Sequence, residues 1–136
     1  RRTNMATEFK DEVNTNKPAA IFALMLLHEV TNAHLLHWAT NSFSEHSALG
    51  EFYDTLNDRA DAYVEAYMGK YGQLKVDGYP EVYSLPNGDC VSHLEDFSNN
   101  VKKVRGMLPQ DTELNNLVDE IADLIDGTLY KLRFLK

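Results

Sequence analysis

The sequence predicts an all-α fold, a four-helix bundle with one long crossover between its second and third helices. Three observations point there. Four stretches carry apolar residues every three or four positions, the spacing of one helix face. None alternates strictly between apolar and polar, as a half-buried strand would. The stretch 72–89, GQLKVDGYPEVYSLPNGD, contains Gly72, Gly78, Gly88, Pro80 and Pro86, which is too many breakers for a helix and too much chain for a tight turn.

The elements follow in order. Residues 1–15 are polar and read as a flexible N-terminal arm. Asn16-Lys17-Pro18 reads as a helix start, a capping Asn with a proline in the first turn. The first helix is expected over about 17–40. Its early run Ile21–Leu27, IFALMLL, is apolar on every side. A surface helix needs only one apolar stripe, so this run predicts a subunit interface. Asn41 to Ser44 favour a turn. A second helix is expected over about 45–71, with Leu49, Phe52, Tyr53, Leu56, Ala60, Tyr63, Val64 and Tyr67 on its apolar face. The link 72–89 then crosses from one end of the bundle to the other, with a short helical turn expected near Pro80 to Tyr83. A third helix is expected over about 90–108, stopped by Pro109. A fourth follows over about 111–134, capped by Asp111 or Thr112. Residues 16–136 thus read as one domain, a length that can bury a core without disulfides.

Composition excludes several function classes. The net charge is −8, from 21 acids and 13 bases. Nucleic-acid binding needs a basic face that displaces counterions from phosphates. The two clusters available, Lys102, Lys103 and Arg105, then Lys131, Arg133 and Lys136, read as solvated helix faces. One cysteine, Cys90, rules out an intramolecular disulfide. The longest apolar run, Ala19 to Leu27, reads as too short for a bilayer, and no charged-then-apolar leader is seen. A cytoplasmic address is expected, and Met5 reads as a native start with Arg1 to Asn4 upstream. No nucleophile motif or phosphate-binding glycine loop is present.

The chemistry-bearing residues gather at one place. HLLHWATNSFSEH, residues 34–46, holds three of the five histidines and the single tryptophan. A bundle with one crossover can bind iron within a chain through Glu-x-x-His pairs. This sequence has none; Glu51-x-x-Asp54 and Glu120-x-x-Asp123 are the nearest approaches. Residues 34–65 instead resemble the signature of the Dps-type mini-ferritins, members of the ferritin-like superfamily. His34 ends the first helix and His46 lies twelve residues on. Asp61 and Glu65 follow, one helical turn apart and so on one face. The chain is also similar to ferritin-like helical proteins of marine cyanophages, which share the run from His34-Leu35-Leu36-His37 to Met68-Gly69-Lys70-Tyr71-Gly72.

The Dps resemblance implies a ferritin-like fold and a metal site shared between two subunits. His34 and His46 of one copy would face Asp61 and Glu65 of the other, with His37, Glu51 and Asp54 as further candidates. Iron suits mixed imidazole and carboxylate ligands, and Fe(II) oxidation would be the activity. Two positions depart from the family pattern. Gly50 stands where that family carries an Asp, and Trp38 follows His37 rather than His34. Aligning on His37-Trp38 would move the later ligand positions to Leu49, Val64 and Met68, which do not suit iron.

Other readings stand beside this one. The chain would equally serve as a non-catalytic helical-bundle dimer, a structural or interaction module with a degenerate metal site. A structural zinc ion tying two subunits is a third reading. In each case a homo-oligomer, at least a dimer through helices 1 and 2, is the expected state, without nucleic acid or membrane as partner. His28 and His93 read as satisfied polar residues, and Trp38, Tyr53, Tyr63 and Tyr67 as packing.

Overall fold

A computed structural model describes residues 2–76 and 85–136, with side chains from Lys17 onward. Four helices make up the fold: α1 (Arg2–Ala39), α2 (Phe43–Tyr71), α3 (Cys90–Arg105) and α4 (Thr112–Phe134). α1 packs on α2 and α3, and α4 packs on the same two, so the helices stand in the ring order α1, α2, α4, α3. Ion pairs set the directions. Lys131 near the end of α4 meets Glu51 near the start of α2, and Lys70 at the end of α2 meets Glu113 at the start of α4. Arg133 of α4 likewise meets Glu95 of α3. Neighbours are therefore antiparallel, and the link between α2 and α3 must run the length of the bundle. This is the four-helix bundle with one crossover that the hydrophobic spacing predicts.

Local chemistry explains most helix ends. Ser42 is extended, and its hydroxyl accepts the Glu45 N–H at 3.3 Å. The Thr40 hydroxyl donates to the Glu45 carboxylate at 2.5 Å. Together they start α2 two residues earlier than the apolar spacing suggests. Asp89 accepts the Ser92 N–H at 2.7 Å and starts α3. Gly72 ends α2 with φ of +94°, a backbone that suits glycine. α3 stops at Arg105, short of the expected 108. Met107 and Leu108 bond back only three residues, to Val104 and Arg105, so the last turn tightens out of the α-helix. Asp111 precedes α4, but its carboxylate does not cap it. That carboxylate accepts instead from the Tyr71 hydroxyl at 2.6 Å and from Lys70 at 3.1 Å.

Two expectations change at α1. The helix is continuous from Arg2, with Pro18 inside it, where the sequence suggests an arm and a capped start. A proline removes one helical donor without obliging the helix to end. For residues 2–16 only the helical backbone is described. The turn expected near Pro80 to Tyr83 lies outside the described residues. Lys17–Ala39 also proves long and apolar enough to cross a membrane by length and composition, which the Ala19–Leu27 run alone does not suggest. Half of it is buried in the bundle, and it holds the buried Glu29 against α3, as a core helix does.

The core draws on all four helices. Phe22 and Leu26 of α1 meet Leu49, Phe52, Leu56, Tyr63 and Tyr67 of α2, Leu94 and Phe97 of α3, and Val118, Ile121 and Ile125 of α4. Phe22 meets Tyr63 edge to face, with centroids 5.1 Å apart. Tyr63 is 1% exposed, yet its hydroxyl finds no hydrogen-bond partner among the described residues. A buried polar atom left unpaired costs about 1–3 kcal/mol. Tyr63→Phe should therefore raise stability by about 1 kcal/mol in urea unfolding. A loss of stability would mean that the hydroxyl is satisfied.

Candidate functional site

The α1–α2 turn builds a compact cluster of rings. The His37 and His46 rings stack with centroids 3.6 Å apart. His37 Nδ1 lies 2.6 Å from the His46 carbonyl oxygen, and His46 Nδ1 lies 2.8 Å from the His37 carbonyl oxygen. A carbonyl only accepts, so both rings donate from Nδ1. The His37 carbonyl is among the last four of α1, which have no partner within the helix. His46 thus caps α1 from the start of α2, and His37 returns the bond. His34 stacks on Tyr53 at 4.1 Å and leans on Trp38 at 4.4 Å. Trp38 and Phe43 remain 68% and 83% exposed beside them.

Gly50 has a role in this cluster. A Cβ built there would lie 3.0 Å from His37 Cε1 and 3.3 Å from its Nδ1. Any side chain larger than glycine would press on the imidazole. The glycine that departs from the Dps pattern is thus the seat of His37.

The candidate carboxylates stand apart from the rings. Asp61 is fifteen residues beyond His46 on the same helix, or about 22 Å at 1.5 Å per residue. Asp61, Glu65 and Asp54 are exposed. Glu51 is taken by Lys131 at 2.6 Å, whose ammonium holds its carboxyl below the usual range. Within one chain, His34 and His46 therefore do not share a site with Asp61 and Glu65. Among the described residues no group of three metal-capable side chains converges. Asp61 faces the outer side of α1 and α2. There a groove of about 310 Å³ is lined by Ala23, Leu24, Leu27, Val64, Met68 and Asp61.

A second polar site joins α1 to α3. Glu29 is 3% exposed, and His93 Nε2 reaches both of its carboxylate oxygens, at 2.8 and 3.0 Å. Burial pushes the Glu29 carboxyl up, although the His93 hydrogen bond and charge oppose this. Burial works against charge on His93, but the Glu29 bond, then the Glu29 and Asp96 charges, outweigh it and raise its pKa. The pair lines a cavity of about 490 Å³ between the two helices. Sequence reasoning sees His93 as a satisfied polar residue, which it is, but misses its partner. The signal was present, because Glu29 is the lone acid between Pro18 and Thr40.

Residues 37–132 match the model of a family of unknown function, DUF5856. The chain belongs to DUF5856. The matched stretch opens at His37 and takes in α2, α3 and α4, so the DUF5856 region includes the His37–His46 pair, Gly50 and His93. Glu29 and His34 precede it. No curated protein and no solved structure matches the chain.

Proposed function

We propose that this DUF5856 chain is a non-catalytic helical bundle that works by self-association through the outer faces of α1 and α2. In this reading the histidine cluster is the joint that fixes the α1–α2 turn. The observation that carries it is the reciprocal pair of bonds between His37 and His46, seated on Gly50. It gives the histidines a structural task that needs no metal. The same faces leave Leu27 43% exposed at the apolar groove. Exposed apolar patches of this kind mark association surfaces. A cytoplasmic setting without nucleic acid goes with the acidic charge and the single, buried cysteine.

A second reading has its own support. In the neutral form, a ring that donates from Nδ1 keeps Nε2 as a lone pair. Metal-binding histidines are held to carbonyls in the same way. An inter-subunit iron site, with His34 and His46 of one copy and Asp61 and Glu65 of another, would use that nitrogen of His46 together with one from His34. It would bring Fe(II) oxidation with it, as in the Dps-type mini-ferritins.

One experiment separates the two. Light scattering on the untagged chain should give a dimer, and Leu27→Asp should give a monomer. Anaerobic Fe(II) soaking followed by elemental analysis should leave no stoichiometric iron. A monomeric native chain overturns self-association. Iron that is retained, then lost in His34→Ala and Glu65→Ala, replaces the first reading with the second.

A further inference from the structure

We propose that the cavity between α1 and α3 binds a small organic cation, an aliphatic primary ammonium whose head group sits on Glu29. The cavity opens between α1 and α3 and the self-association groove between α1 and α2, with Leu24 bordering both. At about 490 Å³ the cavity falls within the range of small-molecule sites, roughly 300–1,000 Å³. Leu24, Met25 and Phe97 give it apolar walls, and Glu29, His93 and Asp96 give it a polar end. Such a mixture accepts a ligand with an apolar body and one polar head.

Charge selects the head. Two carboxylates, Glu29 and Asp96, share the polar end with two imidazoles, His28 and His93, so negative charge stays in excess unless both imidazoles are protonated. No lysine or arginine lines the cavity among the described residues. Hydrogen bonding makes the same choice. A carboxylate offers about four lone-pair sites. Glu29 receives one shared N–H from His93 and is almost shut off from bulk water. Buried carboxylates are stable when donors surround them. An ammonium brings three N–H donors and the missing positive charge, which a carboxylate or phosphate ligand would not. An alcohol would bring one donor and no charge.

The test is isothermal titration calorimetry on the whole chain with n-hexylammonium chloride, sodium hexanoate and 1-hexanol as probes. Hexylammonium should bind saturably at one site per chain. Hexanoate should not bind, and hexanol should bind at least about tenfold more weakly. Glu29→Gln should abolish hexylammonium binding, with circular dichroism checking that the helices remain. Asp96→Asn changes an exposed residue and leaves the core intact; it should weaken binding about tenfold. Hexylammonium that does not saturate, equal binding of hexanol, or unchanged affinity in Asp96→Asn would overturn the proposal.

Discussion

His93→Ala is expected to destabilise the protein by about 3 kcal/mol or more, because it leaves a buried carboxylate without its partner. For a chain of this size that lowers the melting temperature by roughly 10 °C. Glu29 then either keeps its charge without a donor or takes up a proton, and both cost stability. The pair also makes stability depend on pH, and its two members act in the same direction. His93 has a native pKa raised above its ordinary 6.5. Its contribution is therefore complete below pH 6.5 and is lost as pH rises through the native value. Glu29 is raised above 4.5, so holding it charged in the fold costs progressively more from that pH up to its raised native value. The gap in melting temperature between the native chain and Glu29→Gln should narrow as pH climbs above 6.5. A gap that stays constant with pH would show that His93 does not carry charge in the fold.

Gly50→Asp should cost about 2 kcal/mol and should not create an iron site. Replacing a mid-helix glycine by a residue with a Cβ normally helps, by up to about 1 kcal/mol for alanine. Here the new Cβ would meet the His37 ring at 3.0 Å. That ring has little freedom to withdraw, since it donates to the His46 carbonyl at 2.6 Å and stacks on the His46 ring. Moving it by even a few tenths of an ångström strains both contacts, and the Asp carboxylate beyond the Cβ needs further room. Adding His37→Ala removes the obstacle, so the double variant should lose far less than the sum of the two single losses. That non-additivity is the mark of direct contact. If Gly50→Asp instead melts at the native temperature and retains stoichiometric iron, the position is a vacant ligand site and the joint reading fails.

The two sites were legible in the sequence to different degrees. The cluster in residues 34–46 announces itself by composition, and helical spacing places His34, His37 and Trp38 on neighbouring turns of α1. Its use was not legible. Whether an imidazole meets a metal or a carbonyl depends on how closely α1 and α2 cross, which no spacing along one helix reports. Gly50 shows this most sharply: along the chain it is a missing ligand and a weak helix residue, while in the fold it is the space for a ring 13 residues away in sequence. The Glu29–His93 pair spans 64 residues, so its only sequence signature was an acid isolated in an apolar helix.

The sequence by itself determined the four helices and the single long crossover between the second and the third. These depend on interactions within about four residues, on apolar stripes that must face one core, and on two short links against one long one. Only the tertiary structure decided that Asp111 serves Tyr71 and Lys70 rather than its own helix, that His37 and His46 exchange backbone bonds, and that Glu29 finds His93. Each of those choices is a competition among polar groups for partners. Its outcome depends on which groups the packed helices bring within about 3 Å and close off from water.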